Sequence, residues 1–185
     1  MGALQEFVSL LTGTFDNRAQ LADLETRGIT GYPVARHVNT ALNDRIDGLP
    51  ENFDGVFMLE ESDYTVNGRT NPMPHLFLFT LEPDGRVKLT SYDMPAGYTK
   101  ETFRASQIHR LRYEDLTPSA KFTPALYEEK DGGWEGGSES MFTPVLKFTL
   151  WERFTPEVLI VSESMEMNGK RTFGYDLPLE YRRCC

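Results

Sequence analysis

The segment His75–Glu82, HLFLFTLE, constrains the fold more than any other stretch of the chain. It is too short for a helix and is rich in Phe and Leu, so it reads as a strand. Side chains along a strand alternate between faces. Phe77 and Phe79 therefore share one face, Leu76 and Leu78 the other, and both faces are apolar. A sheet with one wet face would alternate apolar and polar residues. The segment Val158–Met167 repeats the anomaly. Asn168-Gly169, the favoured pair for a two-residue type I′ turn, joins it to Lys170–Arg182. Folding about that turn sets Ser164 opposite Phe173, Ser162 opposite Tyr175 and Ile160 opposite Leu177. In that register Val158, Ile160, Tyr175, Leu177, Leu179 and Tyr181 share the core face with Phe173. Leu159, Val161, Glu163 and Met165 form a second, largely apolar face. Two-sided burial over about nine short strands predicts a closed or nearly closed antiparallel β-barrel of the calycin/lipocalin kind. Its outer face would be partly covered by N-terminal helices or by a second subunit.

The remaining elements follow from spacing and turn chemistry. Leu4, Phe7, Val8, Leu10 and Leu11 recur at helical intervals, and good helix formers continue past Thr12-Gly13 to about Glu25. The spacing predicts helical structure over 3–25, a loop over Gly28–Pro33, and strands from about 34 to 182. These strands are Val34–Ile46, Val56–Thr65, His75–Glu82, Arg86–Asp93, Ser106–Tyr113, a short hairpin of Leu126–Lys130 with Trp134–Gly136, Val145–Arg153 and the final hairpin. Glu82-Pro83-Asp84-Gly85 is a β-turn sequence. With no internal repeat or low-complexity segment, the expectation is one mostly β domain spanning 1–185.

Composition narrows the function classes. A net charge of −9 and a pI near 4.9 argue against nucleic acid or an anionic membrane as the main partner. No apolar run reaches 18 residues. The N-terminus lacks a basic stretch and a cleavage site. Met1-Gly2 resembles a myristoylation start, but Glu6 stands where Ser or Thr is needed. A cytoplasmic protein is the expectation, with Cys184 and Cys185 as exposed tail thiols in a reducing compartment.

Glu60 and Glu61 are adjacent on a strand, so one of them points inward if the barrel closes. An inward carboxylate near Tyr64 and Arg69 would orient a polar ligand. If the strand's later half leaves the barrel, both glutamates are solvated. Tyr64, Tyr92, Trp134, Trp151 and Tyr175 are either aromatic walls for a conjugated ligand or ordinary core. His37, His75 and His109 match no metal spacing and read as surface or core residues. Asp131–Gly137 lacks the Lys-Ser/Thr of a phosphate loop and reads as a turn. No G-x-S-x-G or H-E-x-x-H motif is present, and no residue is assigned a catalytic role.

Four short motifs resemble the T-type (CpcT/CpeT) phycobiliprotein chromophore lyases. Leu11-Thr12-Gly13-Thr14-Phe15-Asp16-Asn17-Arg18-Ala19-Gln20 is similar to that family's N-terminal G-x-F-x-N-x-x-Q segment. Phe57-Met58-Leu59-Glu60-Glu61 resembles its F-Y-L-E-Q strand, and Gly133-Trp134-Glu135-Gly136 its glycine–aromatic–glycine hairpin. Ser162-Glu163, Gly174 and Pro178 to Tyr181 resemble its last hairpin. The resemblance implies an antiparallel barrel, often dimeric, that binds a linear tetrapyrrole (bilin) non-covalently. It also implies delivery of that bilin to a cysteine of a phycobiliprotein subunit. Glu60 or Glu61 would then face pyrrole N–H groups, Arg69 a propionate and Tyr64 a ring, with Tyr92, Trp134 and Glu163 as further ligand-binding candidates. The chain departs from the family in two places. Ser138–Phe148 carries no cysteine, and the arginine-rich run after the L-E-Q strand is reduced to Arg69. A barrel binding another small hydrophobic ligand without catalysis, and a purely structural or interaction barrel, stand as the other readings.

Overall fold

The computed structural model of the chain describes residues 2–184. In chain order its elements are helix α1 (Ala3–Leu11), β1 (Gly13–Asp16), α2 (Arg18–Thr26), β2 (Val34–Ala41), β3 (Ile46–Asp47), β4 (Val56–Val66), β5 (Arg69–Leu81), β6 (Val87–Tyr92), β7 (Leu111–Arg112), β8 (Ala125–Lys130), β9 (Gly133–Thr143), β10 (Leu146–Phe154), β11 (Val158–Met167), β12 (Lys170–Phe173) and β13 (Leu179–Arg183). Ten strands form a closed antiparallel barrel in the order β10-β9-β8-β6-β5-β4-β2-β1-β13-β11. The β10–β11 ladder closes it, running from Leu146↔Met167 to Phe154↔Leu159. Closure removes the unpaired edges that an open sheet would expose. No helix among the described residues is long and apolar enough to cross a membrane.

The two-sided strands are explained by two cores. Phe77 and Phe79 face the lumen with Met58, Tyr127, Trp134 and Phe154. Leu76 and Leu78 face outward against Phe57, Leu59, Phe103, Ile108 and Leu111. The outer cover over these strands is therefore the long connection from β6 to β8; of the N-terminal helices only α2 covers the outer face, beside β13 and β2. Two polar contacts pin it. Glu61 Oε1 accepts from the Ala105 amide at 2.7 Å, and Arg104 forks onto Asp63 at 2.7 and 3.1 Å. Of the predicted strand Ser106–Tyr113, only Leu111–Arg112 is extended, paired in parallel with β3. The remainder belongs to this cover.

Helix α1 enters the barrel and plugs one end. Phe7 is fully buried, with its ring 4.8–5.3 Å from those of Phe79, Tyr127, Trp134 and Phe154. The last carbonyls of a helix lack intrahelical partners. Here Asn39 Nδ2 donates to Leu11 O at 2.9 Å and Arg183 Nη2 to Leu10 O at 2.8 Å. Arg183 also lies 4.6 Å over the Phe15 ring. The expected helical stretch over 3–25 is broken by β1, which pairs with both β2 and β13. Gly13, at φ +133°, makes the break. Helix α2 lies outside the barrel, tied to β13 through Gln20, which bonds Pro178 O and the Glu180 amide.

The final hairpin turns at Asn168-Gly169 as expected, with φ of 52° and 75°. Its register differs from the simple fold-back. The ladder slips after Met165, which pairs with Phe173, and the chain leaves the sheet at Gly174. Gly174 has φ +119°, and a Cβ there would meet Glu163 O at 2.7 Å. Only at Leu179 does the chain re-pair with β11, as Val161↔Leu179 and Leu159↔Tyr181. The lumen face of β11 is thus Leu159, Val161 and Glu163, and Ile160 faces out beside α2. Cys184 continues the β13–β1 pairing, with its amide bonded to Thr14 O, so it is not a frayed tail. Its half-buried thiol, 3.3 Å from Asp16 Oδ2, has its pKa raised by burial and by that carboxylate. Met1 and Cys185, on which the readings of the two termini partly rest, lie outside the described residues.

Candidate functional site

With α1 filling one end, the other end of the lumen is left to polar side chains. Strand alternation places them. Glu60, Ser62 and Tyr64 on β4 share the face of Met58, and His37 on β2 sits directly opposite Ser62. His75 on β5 is opposite Glu60. Glu152 on β10 lies between the inward Leu150 and Phe154, and Glu163 on β11 is opposite Leu150. The result is a cluster of three glutamates, two histidines and the tyrosines Tyr64, Tyr127 and Tyr181, inside one barrel.

The three carboxylates are held differently. Glu60 Oε2 is 3.4 Å from His37 Nδ1, and Oε1 accepts from Ser62 Oγ at 3.0 Å. His37 Nε2 in turn meets Ser62 Oγ at 3.3 Å and Tyr64 OH at 3.5 Å. Burial alone would push the Glu60 carboxyl up. The imidazolium of His37 outweighs it and holds Glu60 down at about 2. His37 is raised correspondingly, the Glu60 charge overcoming its own burial. Glu152 accepts a short hydrogen bond from Tyr127 OH, and burial with the Glu60 charge pushes it up to about 8. Glu163 is pushed up to about 7 by the same two causes. Among the described residues it has neither a hydrogen-bond nor an ion-pair partner for its carboxylate. Like charges at this spacing cannot all ionise in a low-dielectric lumen. Glu60 carries the charge; Glu152 and Glu163 hold protons. Burial lowers the pKa of His75, which stacks on Phe77 at 5.5 Å.

A cavity of about 40 Å³ runs beside the cluster, lined by Glu60, His75, Phe77, Phe148, Glu152 and Glu163. A second void of about 10 Å³ lies on the far side of Glu163, against Tyr64, Tyr175 and Leu179. Glu163 is common to both, and neither lining contains a lysine or arginine. At the mouth the rings of Phe122, Phe142 and Phe148 pack within 5.1–5.7 Å of one another. No group of three His, Cys, Asp or Glu among the described residues is arranged to hold a metal ion. Chemically the lumen offers acceptors and shared protons, which suits a ligand rich in N–H groups.

Of the residues singled out from sequence, the structure brings Glu60, Tyr64 and Glu163 together. Glu61 points outward to Ala105, so the question of which glutamate faces in is resolved for Glu60. Tyr92 also faces outward, its ring 5.1 Å from Phe57. Trp134 is buried beneath α1, with Nε1 unpartnered. Arg69 shares the lumen-side face of β5 with His75, but it lies six residues nearer the hairpin tip, ~20 Å away, and is exposed. Tyr175 closes the second void, stacked on Tyr32 at 5.0 Å. Trp151 is on the outer face of β10, and His109 is exposed. His37 and His75 read from sequence as surface or core residues, and Glu152, Tyr127 and Tyr181 are not among the candidates. Glu152 carried a usable signal, because Leu150-x-Glu152-x-Phe154 flanks a carboxylate on its own face with apolar residues. The histidines carried none, since their meeting depends on which strands become neighbours.

Fold and lumen together define a class: a closed antiparallel β-barrel with one end plugged and an acidic pocket at the other. Compared with known proteins, the chain matches no protein-family model, no curated protein and no solved structure.

Proposed function

We propose that the protein binds a linear tetrapyrrole and presents it for attachment to a cysteine of a phycobiliprotein subunit, as a chromophore lyase-like carrier. The observation that carries this reading is the unpartnered Glu163 beside the charged Glu60, both facing the same cavity. A bilin supplies what this pair lacks, several pyrrole N–H donors in a row. Closed space of about 40 Å³ is far below the size of a tetrapyrrole, so the ligand lies across the mouth. Its nitrogens sit over Glu60 and Glu163, and its rings pack against Phe77, Phe122 and Phe148. Arg69, on the same face of β5 but ~20 Å nearer the hairpin tip, does not line the cavity, and a propionate would meet it only beyond the mouth. Among the described residues the lumen provides no thiol, so the nucleophile comes from the acceptor, and the barrel's part is to hold and orient. A non-catalytic barrel for another N–H-bearing hydrophobic ligand is favoured by one specific observation: neither lysine nor arginine lines the cavity to meet two propionates.

The test is a visible absorption titration with phycocyanobilin or biliverdin in solution. A red-shifted, sharpened band saturating near one equivalent is expected. Glu163→Gln should weaken binding by about fivefold, the worth of one hydrogen bond to a neutral group, without lowering the melting temperature. No spectral change in the wild type would leave the non-catalytic reading in its place.

A further inference from the structure

Large apolar side chains are exposed unevenly over this molecule. Eight are 41–58% exposed among the described residues: Leu81 lies at the α1 end and Met94 in the outer cover, whereas Val34, Val66, Met141, Val145, Met167 and Phe173 all lie at the mouth end of the barrel, beyond the level of Tyr64 and Glu163. Isolated exposed hydrophobics are ordinary on a protein surface; a ring of them around one opening is not. The charges are uneven in the same sense. Three hairpin tips rise at this end, and each sets a base directly across from an apolar residue: Val66↔Arg69, Met141↔Lys147 and Met167↔Lys170. Lys121 adds a fourth base at the rim, its Nζ 4.1 Å from the centre of the Phe142 ring. Lys147 sits between Glu139 and Glu166, two carboxylates to one base, and Arg171 pairs with Asp176, so neither adds positive charge to the rim. Arg69, Lys121 and Lys170 have no ion-pair partner among the described residues. The turns at the α1 end are the opposite: Glu129, Asp131 and Glu157 lie there, also unpaired among the described residues. A chain of net charge −9 thus keeps unpaired bases around its opening.

We propose that the open end of the barrel docks on an anionic lipid bilayer. Apolar side chains with a flanking base suit such an interface: the hydrocarbon part enters the headgroup layer and the base meets lipid phosphate. Acidic turns at the far end would be repelled, so the charge distribution also orients the molecule mouth-down. An apolar ligand would then reach the aromatic mouth without crossing water. The expectation from overall charge alone pointed away from anionic lipid; the local pairing at the hairpin tips reverses it. This inference concerns the rim and does not depend on which ligand the lumen takes.

The test is flotation of the ligand-free protein with vesicles of phosphatidylcholine containing phosphatidylglycerol, against vesicles of phosphatidylcholine alone. Binding to the anionic vesicles at low salt is expected, with release as salt is raised. Removing one base, as in Lys170→Gln or Arg69→Gln, should lower partitioning by about fivefold. Met167→Asp should lower it further. All three sites are exposed, and circular dichroism of each variant checks that it folds. Lys130→Gln, at the α1 end, should leave partitioning unchanged. Failure to float with anionic vesicles, equal partitioning onto both vesicle types, or a loss caused by Lys130→Gln but not by the tip variants would each overturn the proposal. The bilin titration contains no lipid, so its outcome is read separately.

Discussion

Phe7→Ala should lower stability by about 3–5 kcal/mol, the range for emptying a well-packed aromatic site. Phe7 is the residue on which the plugged end converges. Its ring meets Phe79 from β5, Tyr127 from β8, Trp134 from β9 and Phe154 from β10, three of them edge to face. Four barrel strands thus share one contact with α1. Those partners cannot collapse onto one another, because a closed ladder holds their backbones apart, so most of the vacated volume stays as a cavity. For a chain of this size the loss corresponds to a fall in melting temperature on the order of 10 °C. Thermal unfolding followed by far-ultraviolet circular dichroism reads it directly. A shift of only a degree or two would mean that α1 rests on the surface, and the plugged-barrel architecture would have to be abandoned.

How much of this was legible in the sequence depends on the range of the interaction that decides each feature. The apolar doublets of His75–Glu82 and the Asn168-Gly169 turn act locally, and both led to the right architecture and the right hairpin. The role of α1 was not local. A helix with one apolar stripe reads the same whether it covers a sheet or enters a barrel, and only the enclosing strands distinguish the two. Before Gly174, whose positive φ lets the chain leave the ladder and return, the faces of β11 are already set by a one-residue bulge between Met165 and Glu166, where the partner skips from Arg171 to Phe173. That skip exchanged Ile160 for Leu159 and Val161 as the core residues, since a one-residue slip turns every side chain to the other face.

The candidate site divides along the same line. Alternation required one of Glu60 and Glu61 to face inward, and the outward demand of the Ala105 amide selects Glu61 for the other side. Bringing His37 to Glu60 needed the β2–β4 register, and bringing Glu152 and Glu163 to the same pocket needed barrel closure through β10–β11. Aromatic character alone could not separate Tyr64, at the pocket, from Tyr92 and Trp134, which are core. Packing and pocket draw on the same residue types; position in the closed barrel tells them apart.

The pocket should make stability fall as pH rises, the reverse of what carboxylates usually confer. Glu152 and Glu163 have folded pKa values of about 8 and 7, above the ordinary value of 4.5. Between those limits the folded state binds more protons than the unfolded one, so each unit of pH costs stability. His37, raised in the folded state, acts in the same direction: its contribution is complete below its ordinary 6.5 and is lost as pH rises through the raised value. Glu60 acts oppositely. Held at about 2, it contributes stability above 4.5 that is lost only as pH falls toward 2. His75 from β5, lowered by burial, opposes the fall, because it costs stability below its ordinary 6.5 and that cost disappears as pH rises, one group against three; Tyr64, Tyr127 and Tyr181 have raised values that keep them neutral throughout this window. Maximum stability is therefore expected near pH 5. Water reaching the cluster through the mouth screens part of the effect, which leaves roughly 3 kcal/mol lost between pH 5 and 8.5. Urea unfolding at a series of pH values measures this loss. The double variant Glu152→Gln, Glu163→Gln removes the two titrating carboxyls while keeping their shape, and it should flatten most of the slope. At pH 8.5 it should be more stable than the wild type, and at pH 5 nearly equal to it. A wild-type profile flat from pH 5 to 8.5, or one that keeps its slope in the double variant, would show that the lumen does not hold these carboxyls protonated. The pairing of a charged Glu60 with two neutral neighbours would then fall with it.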